Sequence, residues 1–448
     1  MYYHRRLLDN LVKWKDSSIR KPLIIRGARQ VGKTSLVRLF GETSFKQVVE
    51  INLEKVNHRR VFEQAVSVQD FLTRVRLFFE IDIVPGETLL FIDEIQASRT
   101  VLELLRFFSE ELPKLHVVAA GSPLEVKLMT GSWAIPVGRV DYMYLFPLTF
   151  SEFLVATNRK QLATALEKWS LGTKDIAVSD LATVAFREYL LVGGMPEAVM
   201  TYAKYQNMTD LQTIYKRLMT AYLEDVVKYA PKPELAKYIE HVIKTGPSVA
   251  GTTFSYEGFG GGNYRSREMS EAVGIVEKVM LLKQVMAVNS TKLPLVAKPK
   301  KPKKLLWLDV GLVNAINHAY EEILVGEYEG KIMEQVVGQS LVSVTNSAFG
   351  EIYYWSRNRD EGSAEVDFVT QMGEKMIAFE VKSGKYFSMK SMVSLVAINS
   401  EIVPVRVSFD EPGVDEIISN GEKHKVLVLP VYLLEFWVEW VGKFLLLK

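Results

Sequence analysis

The sequence predicts an α/β protein whose N-terminal part is a parallel β-sheet that carries a phosphate-binding loop. Three observations predict this class. Residues 27–34 read GARQVGKT, which is the pattern GxxxxGK[ST], and they lie between an apolar segment at 22–25 and a helical segment at 35–40. A second apolar segment, residues 88–92, ends in two carboxylates. Strand-like and helical segments alternate as far as residue 148, as in parallel sheets.

The glycine-containing loop is predicted to bind the phosphates of a nucleotide. Its glycines let backbone N–H groups surround a phosphate, and the N-terminus of the following helix adds partial positive charge. Lys33 is expected to reach the β- and γ-phosphates, and Thr34 to hold Mg²⁺. The predicted contact residues are Gly27, Ala28, Arg29, Gln30, Val31, Gly32, Lys33, Thr34 and Ser35. The alternative is a chance glycine-lysine turn.

Two carboxylates, Asp93 and Glu94, follow a strand that is predicted to be buried on both faces. Ligands of α/β sheets bind at this end of the strands. We expect Asp93 to organise Mg²⁺ and Glu94 to polarise the attacking water. The alternative is that the pair only caps a helix. Ser122 ends a predicted fourth strand, 115–122, and is expected to contact the γ-phosphate or the attacking water.

Arg139 precedes a predicted fifth strand, residues 142–148, and has two interpretations. In the first, it acts as an arginine finger on the nucleotide of a neighbouring subunit and stabilises transition-state charge. In the second, it is a structural ion-pair partner within its own subunit. The sequence leaves both open.

Length and composition limit the classes of function. A chain of 448 residues is predicted to form two to four domains. Its net charge is +2, so a nucleic-acid surface must be local. The lack of cysteine excludes disulfides, thiolate metal sites and cysteine nucleophiles, and it fits a cytoplasmic location. The six histidines have no zinc-like spacing. We expect no membrane span, because no apolar stretch is long enough.

Beyond residue 149 the apolar spacing becomes helical, and a Gly-Gly-Met-Pro segment, 193–196, interrupts it. This segment is either a turn that places backbone against a nucleotide base or a simple helix–helix turn. A helix at 268–278 and a strand pair at 281–285 and 304–308 then predict a winged helix.

Five lysines in residues 298–304 lie between those two strands. They predict either a DNA-binding wing or a solvated loop. Nearby candidates for the same surface are Tyr256, Arg265 and Arg267.

A second group of charged residues lies near the C-terminus. Asp367 lies in a strand-like segment, and Glu380 and Lys382 lie two apart on one face of the next strand. With Glu334 from a preceding helix, Asp367 and Glu380 are candidates to hold a divalent metal, and Lys382 to act on water in phosphodiester cleavage. A cross-strand salt bridge is the alternative.

The chain resembles bacterial and archaeal AAA-type ATPases with a C-terminal DUF4143 domain, related to the archaeal origin-recognition-like and STAND branch. The resemblance is carried by YYHR (2–5), IRGARQVGKT (25–34), FIDEIQ (91–96), GS (121–122), GR (138–139), FPLTF (146–150), GGMP (193–196), LDVGL (308–312) and EVDF (365–368).

This resemblance implies four parts: an AAA-type ATPase core (1–150), a helical lid (151–244), a winged helix (245–310) and a PD-(D/E)xK nuclease-like α/β domain (311–448). The DUF4143 region would span roughly the last two. The resemblance also implies that Pro196 touches the adenine side of the site and that Asn52 restrains Glu94.

The expected function is therefore that of a Mg²⁺-dependent ATPase that acts as a nucleotide-gated, DNA-associated switch, with ATP or ADP as its ligand. One alternative is an ATP-regulated nuclease that uses Asp367, Glu380 and Lys382. The other is a slow-turnover scaffold with an inactive nuclease-like domain that binds a protein partner. Oligomerisation is compatible with each.

Overall fold

The structure, a computed structural model, describes residues 5–121, 138–227, 230, 232–319, 326–344, 351–357, 363–384 and 388–446. The chain forms two compact units. The first contains the chain up to Pro147 with two short later segments, 225–233 and 278–280, and the second contains the remainder. Within the described ranges, no helix is long and apolar enough to cross a membrane.

The first unit is built on the predicted parallel sheet. Its strands are β1 (Leu23–Arg26), β2 (Gln47–Asn52), β3 (Thr88–Asp93), β4 (His116–Ala120) and β5 (Asp141–Tyr144). Their spatial order is β2-β3-β4-β1-β5, and all described pairs are parallel. The central strands β3 and β4 are buried along their whole length, which explains their continuous apolar sequences.

Amphipathic helices cover this sheet. They are α1 (Leu7–Asp16), α2 (Lys33–Ser44), α3 (Val56–Phe62), α4 (Val68–Phe79) and α5 (Arg99–Glu111). Helix α5 shows why such a segment is helical. The Ser98 hydroxyl accepts a hydrogen bond from the Val101 N–H at its start, and Leu105 and Phe108 lie on its buried face.

The second unit begins with a helical region. Its helices are α6 (Phe150–Ala156), α7 (Lys160–Lys168), α8 (Ile176–Val192), α9 (Pro196–Tyr205), α10 (Met208–Val227) and α11 (Pro233–Thr245). Helix α6 begins with a capping box between Thr149 and Glu152. The last residues of α10, from Asp225, belong to the first unit.

A nine-stranded mixed sheet, counted over the described residues, forms the rest of the second unit. Its strands are β6 (Thr253–Phe254), β7 (Leu282–Val288), β8 (Lys303–Trp307), β9 (Tyr353–Ser356), β10 (Glu365–Met372), β11 (Lys375–Val381), β12 (Val403–Ser408), β13 (Gly413–Ser419) and β14 (Glu422–Pro430). The accompanying helices are α12 (Ser266–Lys278), α13 (Val310–Asn317), α14 (Gly326–Val344), α15 (Lys390–Ile398) and α16 (Trp437–Leu445).

The predicted helix and strand pair are present as α12, β7 and β8, and β7 and β8 are antiparallel. The other edge of β7, however, pairs in parallel with β9, and Met286 lies opposite Tyr353. The order of the whole sheet is β13-β14-β12-β11-β10-β9-β7-β8-β6. The hairpin therefore belongs to the same sheet as the C-terminal strands. The domain boundary that we expected near residue 310 would divide this sheet, so the two predicted domains are not separate.

Asp309 links the helical region of the second unit to its sheet. This carboxylate is fully buried and accepts hydrogen bonds from the N–H groups of Gly194 (2.6 Å) and Leu312 (3.2 Å) and from the Tyr215 hydroxyl (3.1 Å). Burial raises the pKa of Asp309 to about 6, while these donors favour its charged form.

The same contact explains the Gly-Gly segment between α8 and α9. A Cβ atom on Gly193, whose φ is +72°, would collide with the Asp309 carboxylate. A Cβ atom on Gly194 would collide with the Leu148 carbonyl. Both glycines are therefore required by the packing of the helix–helix turn itself.

We expect Asp309→Ala to destabilise the second unit by about 3 kcal/mol, because it leaves the buried N–H groups of Gly194 and Leu312 without this acceptor. The matched control is Asp175→Ala. Asp175 also caps a helix, by accepting from the Val178 N–H, but it is exposed, so its loss should cost about 1 kcal/mol. Urea-induced unfolding followed by tryptophan fluorescence measures both. Equal costs would contradict the role given to Asp309.

Candidate functional site

Pairing of the parallel strands brings the predicted nucleotide-site residues to one edge of the first sheet. Asp93 of β3 lies opposite Asn52 of β2 and Ala120 of β4. Strand β1, which pairs with β4, leads directly into the loop that starts at Gly27. The loop, the carboxylates and the end of β4 therefore meet at the carboxyl ends of the strands, as expected.

The phosphate-binding loop has the backbone geometry that its motif needs. Gly32 has a φ of +96°, immediately before α2 begins at Lys33. A Cβ atom on Gly27 would collide with the Leu145 carbonyl oxygen, so the first glycine is also required. The loop passes into the N-terminus of a twelve-residue helix, whose first N–H groups are available to an anion.

Lys33 is held inside this loop. Its Nζ donates to the carbonyl oxygens of Gly27 and Ala28, both at 2.9 Å. Burial lowers the pKa of Lys33 to about 8, against the opposing influence of Glu94 and Asp93. The ammonium therefore remains mostly protonated at neutral pH, and it lies beside the backbone that would surround a phosphate.

Thr34 and Asp93 form a pair that suits Mg²⁺. The Thr34 hydroxyl donates to Asp93 Oδ2 at 3.1 Å, and Asn52 Nδ2 donates to the same oxygen at 3.3 Å. Burial and the neighbouring Glu94 raise the pKa of Asp93 to about 6. A hydroxyl and a carboxylate are oxygen donors of the kind that Mg²⁺ binds beside nucleotide phosphates, so the residues present fit that ion.

Glu94 is held by a residue that the sequence did not single out. The side-chain amide of Gln96 donates a hydrogen bond to Glu94 Oε2. Glu94 itself has a positive φ of +53°, and its N–H donates to Asp93 Oδ1 at 3.1 Å. We expected Asn52 to restrain Glu94, but Asn52 contacts Asp93 instead. The signals for Gln96 in the sequence were its place in the FIDEIQ segment and its position two residues after Glu94.

Arg29 connects the loop to a later part of the chain. Its guanidinium forms an ion pair of 2.7 Å with Asp225, in a short segment that packs with the first unit. Asp225 lies near the C-terminal end of α10. The loop therefore has an electrostatic partner almost two hundred residues downstream in sequence.

Three further residues were predicted for this site: Arg139, Ser122 and Pro196. Arg139 forms an ion pair of 3.1 Å with Glu110 of α5, which matches the second of its two interpretations. Ser122 lies outside the described residues. Pro196 begins α9 directly after the Gly-Gly turn, and its contact with adenine stays a prediction.

The C-terminal carboxylates also come together, within the second unit. Strands β10 and β11 are antiparallel, with Phe368 opposite Phe379, so Asp367 and Glu380 are neighbours. The Val381 N–H donates to Asp367 Oδ2 at 2.8 Å, and Lys382 Nζ donates to Glu380 Oε1 at 2.8 Å.

Lys304 of β8, which the sequence placed both at the end of the lysine run and at the start of a strand, completes this group. Its Nζ lies 2.6 Å from a Glu334 oxygen, 3.5 Å from a Glu365 oxygen and 3.6 Å from Asp367 Oδ1. We call Lys304, Glu334, Glu365, Asp367, Glu380 and Lys382 the acid cluster. A lysine among buried strand residues needs polar or charged partners, and that was the overlooked signal.

The acid cluster does not fit a metal ion as it stands, because the Lys304 ammonium lies among the carboxylates that would bind one. In the ranges that the structure describes, no three acidic or histidine side chains are arranged to share a metal.

Proton affinities in the cluster reflect its burial. Burial, and then the charge of Asp367, raise the pKa of Glu334 and that of Glu380 to about 7 each. Burial alone would lower the pKa of Lys304. The carboxylates of Asp367, Glu334 and Glu365 outweigh that effect and raise it above its usual value.

The lysine run at 298–304 offers less positive surface than its sequence suggested. Lys298 and Lys300 are exposed. Lys301 donates to the carbonyls of Ser356 (2.7 Å) and Arg357 (3.0 Å), and Lys303 donates to the Tyr256 hydroxyl at 2.8 Å. With Lys304 buried in the acid cluster, the expected five-lysine surface is reduced to two side chains, because the second strand begins inside the run.

Comparisons with known proteins agree with the core site. Residues 19–154 match a family described as an AAA domain. Residues 183–322 match a domain of unknown function, DUF8612, and residues 329–430 match another, DUF4143. No curated protein matches the chain.

Several solved structures are similar to the chain. A Walker-type ATPase of Pyrococcus abyssi is 14% identical, with a TM-score of 0.43, and the match covers 70% of this chain and 96% of that one. The Orc1 protein of Aeropyrum pernix, solved in complex with DNA, is 15% identical, with a TM-score of 0.30 and coverages of 71% and 93%. The Holliday-junction branch-migration motor RuvB of Thermotoga maritima is 14% identical, with a TM-score of 0.30 and coverages of 66% and 93%.

The phosphate-binding loop, the Asp93-Glu94 pair and the parallel sheet all lie within the residues that match the AAA domain. The chain therefore contains an AAA domain with a phosphate-binding loop in its N-terminal part and a DUF4143 domain in its C-terminal part.

Proposed function

We propose that this protein hydrolyses ATP with Mg²⁺ and uses the nucleotide as a conformational switch. The observation that supports this most is the convergence of Lys33, Thr34, Asp93 and Glu94 at one sheet edge, joined by the 3.1 Å hydrogen bond between Thr34 and Asp93. Phosphoryl transfer to water needs a phosphate cradle, a metal-binding pair and a group that orients water, and these residues supply each of them.

Phosphate binding would use the loop backbone and Lys33. On binding, the ammonium exchanges the carbonyl oxygens of Gly27 and Ala28 for phosphate oxygens. The negative charge of the phosphates compensates the burial that lowers the pKa of Lys33, and so keeps the lysine charged.

Thr34 and Asp93 would hold Mg²⁺, which neutralises charge on the phosphates when bound. Glu94 then accepts a hydrogen bond from the attacking water and orients it. Gln96 holds the Glu94 carboxylate through one oxygen and leaves the other oxygen for the water. Ser122 would contact the γ-phosphate. Arg139 would reach the nucleotide of a neighbouring subunit only by breaking its ion pair with Glu110.

The switch would use the ion pair between Arg29 and Asp225. Arg29 lies within the loop, and its distance to Asp225 is 2.7 Å. Nucleotide phosphates compete with Asp225 for the guanidinium, so binding and release of ATP change a contact at the end of α10. Pro196 at the start of α9 would add an adenine contact.

DNA association is the second part of the proposal, and it relies on Lys298 and Lys300. Both lysines are exposed in the segment that joins β7 to β8. Two phosphate contacts give weak, salt-dependent and sequence-independent binding.

Lys33→Ala is expected to abolish tight ATP binding, and Glu94→Gln to bind ATP but hydrolyse it at least about a hundredfold more slowly. Calorimetry with ATP and a phosphate-release assay measure these effects. The matched control is Glu103→Gln, which changes an exposed glutamate that pairs with Arg99 on α5. Normal turnover by Glu94→Gln would refute the assignment.

Gln96→Ala should lower kcat about tenfold and change the KM for ATP by less than about twofold, because Gln96 positions Glu94 without contacting the phosphates. Steady-state kinetics separate the two parameters. In the Glu94→Gln background the same substitution should have no further effect. A raised KM with unchanged kcat would mean that Gln96 serves nucleotide binding instead.

Replacing Lys298 and Lys300 together with alanine should weaken binding to double-stranded DNA and reduce the slope of log affinity against log salt by about 2. Fluorescence anisotropy over a salt series measures the slope. The control replaces Lys160 and Lys168, two exposed lysines of α7. An unchanged slope in the first variant would rule out this surface.

A further inference from the structure

We propose that the acid cluster of the second unit is a cation site whose resident cation is the ammonium of Lys304, so that the site binds a divalent ion only when this ammonium is removed. The proposal concerns a different unit from the ATPase site and does not depend on ATP hydrolysis.

The geometry around Lys304 is that of an enclosed cation. Glu334 from α14 contacts its Nζ at 2.6 Å, and Glu365 and Asp367 from β10 lie at 3.5 and 3.6 Å. The rings of Phe368 and Tyr354 also lie beside the ammonium, with centroids at 5.1 and 5.8 Å. Carboxylates from two elements and two aromatic rings thus surround one charge.

This arrangement differs from a surface salt bridge. The Lys304 side chain is only 1% exposed, whereas exposed ion pairs contribute little to stability. A buried ammonium is costly without polar or charged partners, and here the partners of Lys304 are carboxylates, which its charge stabilises in turn. Lys304 and the surrounding carboxylates therefore offset each other's cost of burial.

Strand pairing fixes the ammonium in this place. Lys304 lies in β8 opposite Val285 of β7 and Thr253 of β6. Its neighbour Lys303 extends to the other face of the strand, where it contacts Tyr256. Because both edges of β8 are paired here, Lys304 cannot leave the cluster without disruption of the sheet.

Glu380 gives independent evidence that the cluster is built for cations. This residue is 5% exposed, and its Oε1 is bound by Lys382 while its Oε2 is buried without a hydrogen-bond partner. Such an oxygen is costly to bury unless a cation is near. The cluster thus contains four carboxylates and two ammonium groups, an excess of acidic side chains.

Removal of Lys304 would leave four carboxylates and one ammonium, that of Lys382, which binds Glu380 Oε1. Glu334, Glu365 and Asp367 would lose their shared cation, and Glu380 already has a free oxygen. Carboxylate oxygens are the ligands that Mg²⁺ and Mn²⁺ prefer. In the natural sequence these acids instead join β8, β10 and α14, and the cluster does not cleave phosphodiesters.

The test is Mn²⁺ binding to the full-length, nucleotide-free protein, measured as loss of the free-ion electron paramagnetic resonance signal. Lys304→Ala should gain a Mn²⁺ site with an affinity about tenfold or more above that of the wild type. The gain should disappear in the double variant Lys304→Ala/Asp367→Asn. Lys303→Ala is the matched control, because it removes a buried lysine of the same strand without touching the acids, and it should gain nothing.

Thermal unfolding provides a second readout. The melting temperature of Lys304→Ala should fall and recover in part with Mn²⁺, while that of the wild type stays constant. If Lys304→Ala does not fold, Lys304→Gln removes the charge at similar length and should show the same gain.

Three results would overturn the proposal. The first is a wild-type Mn²⁺ site that Asp367→Asn abolishes. The second is a folded Lys304→Ala or Lys304→Gln variant that gains no Mn²⁺. Metal-dependent DNA or RNA cleavage that is present in the wild type and lost in Lys382→Ala would also contradict it.

Discussion

The pairing of buried charges with polar or charged partners sets the geometry of both units. Lys33 is enclosed by loop carbonyls, and Asp93 by Thr34 and Asn52. In the second unit Asp309 collects donors from the helical region. Isolated charges cannot be buried, so each of these contacts specifies how strands and helices from separate segments come together.

The two carboxylate sites of this protein use the same constraint in opposite ways. At the carboxyl ends of the strands in the first unit, Asp93 and Thr34 form a small polar pair next to a loop that can accept phosphates. Their negative charge is available to an external ion. In the acid cluster, Lys304 supplies the compensating charge from within the chain. Enclosure of a lysine ammonium by several carboxylates thus distinguishes the acid cluster from the pair of Asp93 and Thr34, whose nearby Lys33 is bound by loop carbonyls.

Much of the nucleotide site could be predicted from the sequence, because its residues are local in sequence or at the ends of apolar strands. The loop at 27–34, Asp93 and Glu94 needed only a motif and the rule that parallel strands present ligands at one edge. The contact between Gln96 and Glu94 was not predicted, because the sequence does not specify which nearby side chain turns back toward the Glu94 carboxylate. The lysine run was overestimated, because Lys303 and Lys304 begin a buried strand.

By itself, the sequence determined the parallel α/β core, the phosphate-binding loop and the paired carboxylates, since each depends on local backbone conformation and on burial of apolar strands. Only the tertiary structure decided which charges meet. The pairing of β7 with β9 joined the hairpin to the C-terminal sheet, and the packing of α14 brought Glu334 to Lys304. Those contacts join residues tens of positions apart, and their energy depends on desolvation, which a linear pattern of residues does not specify.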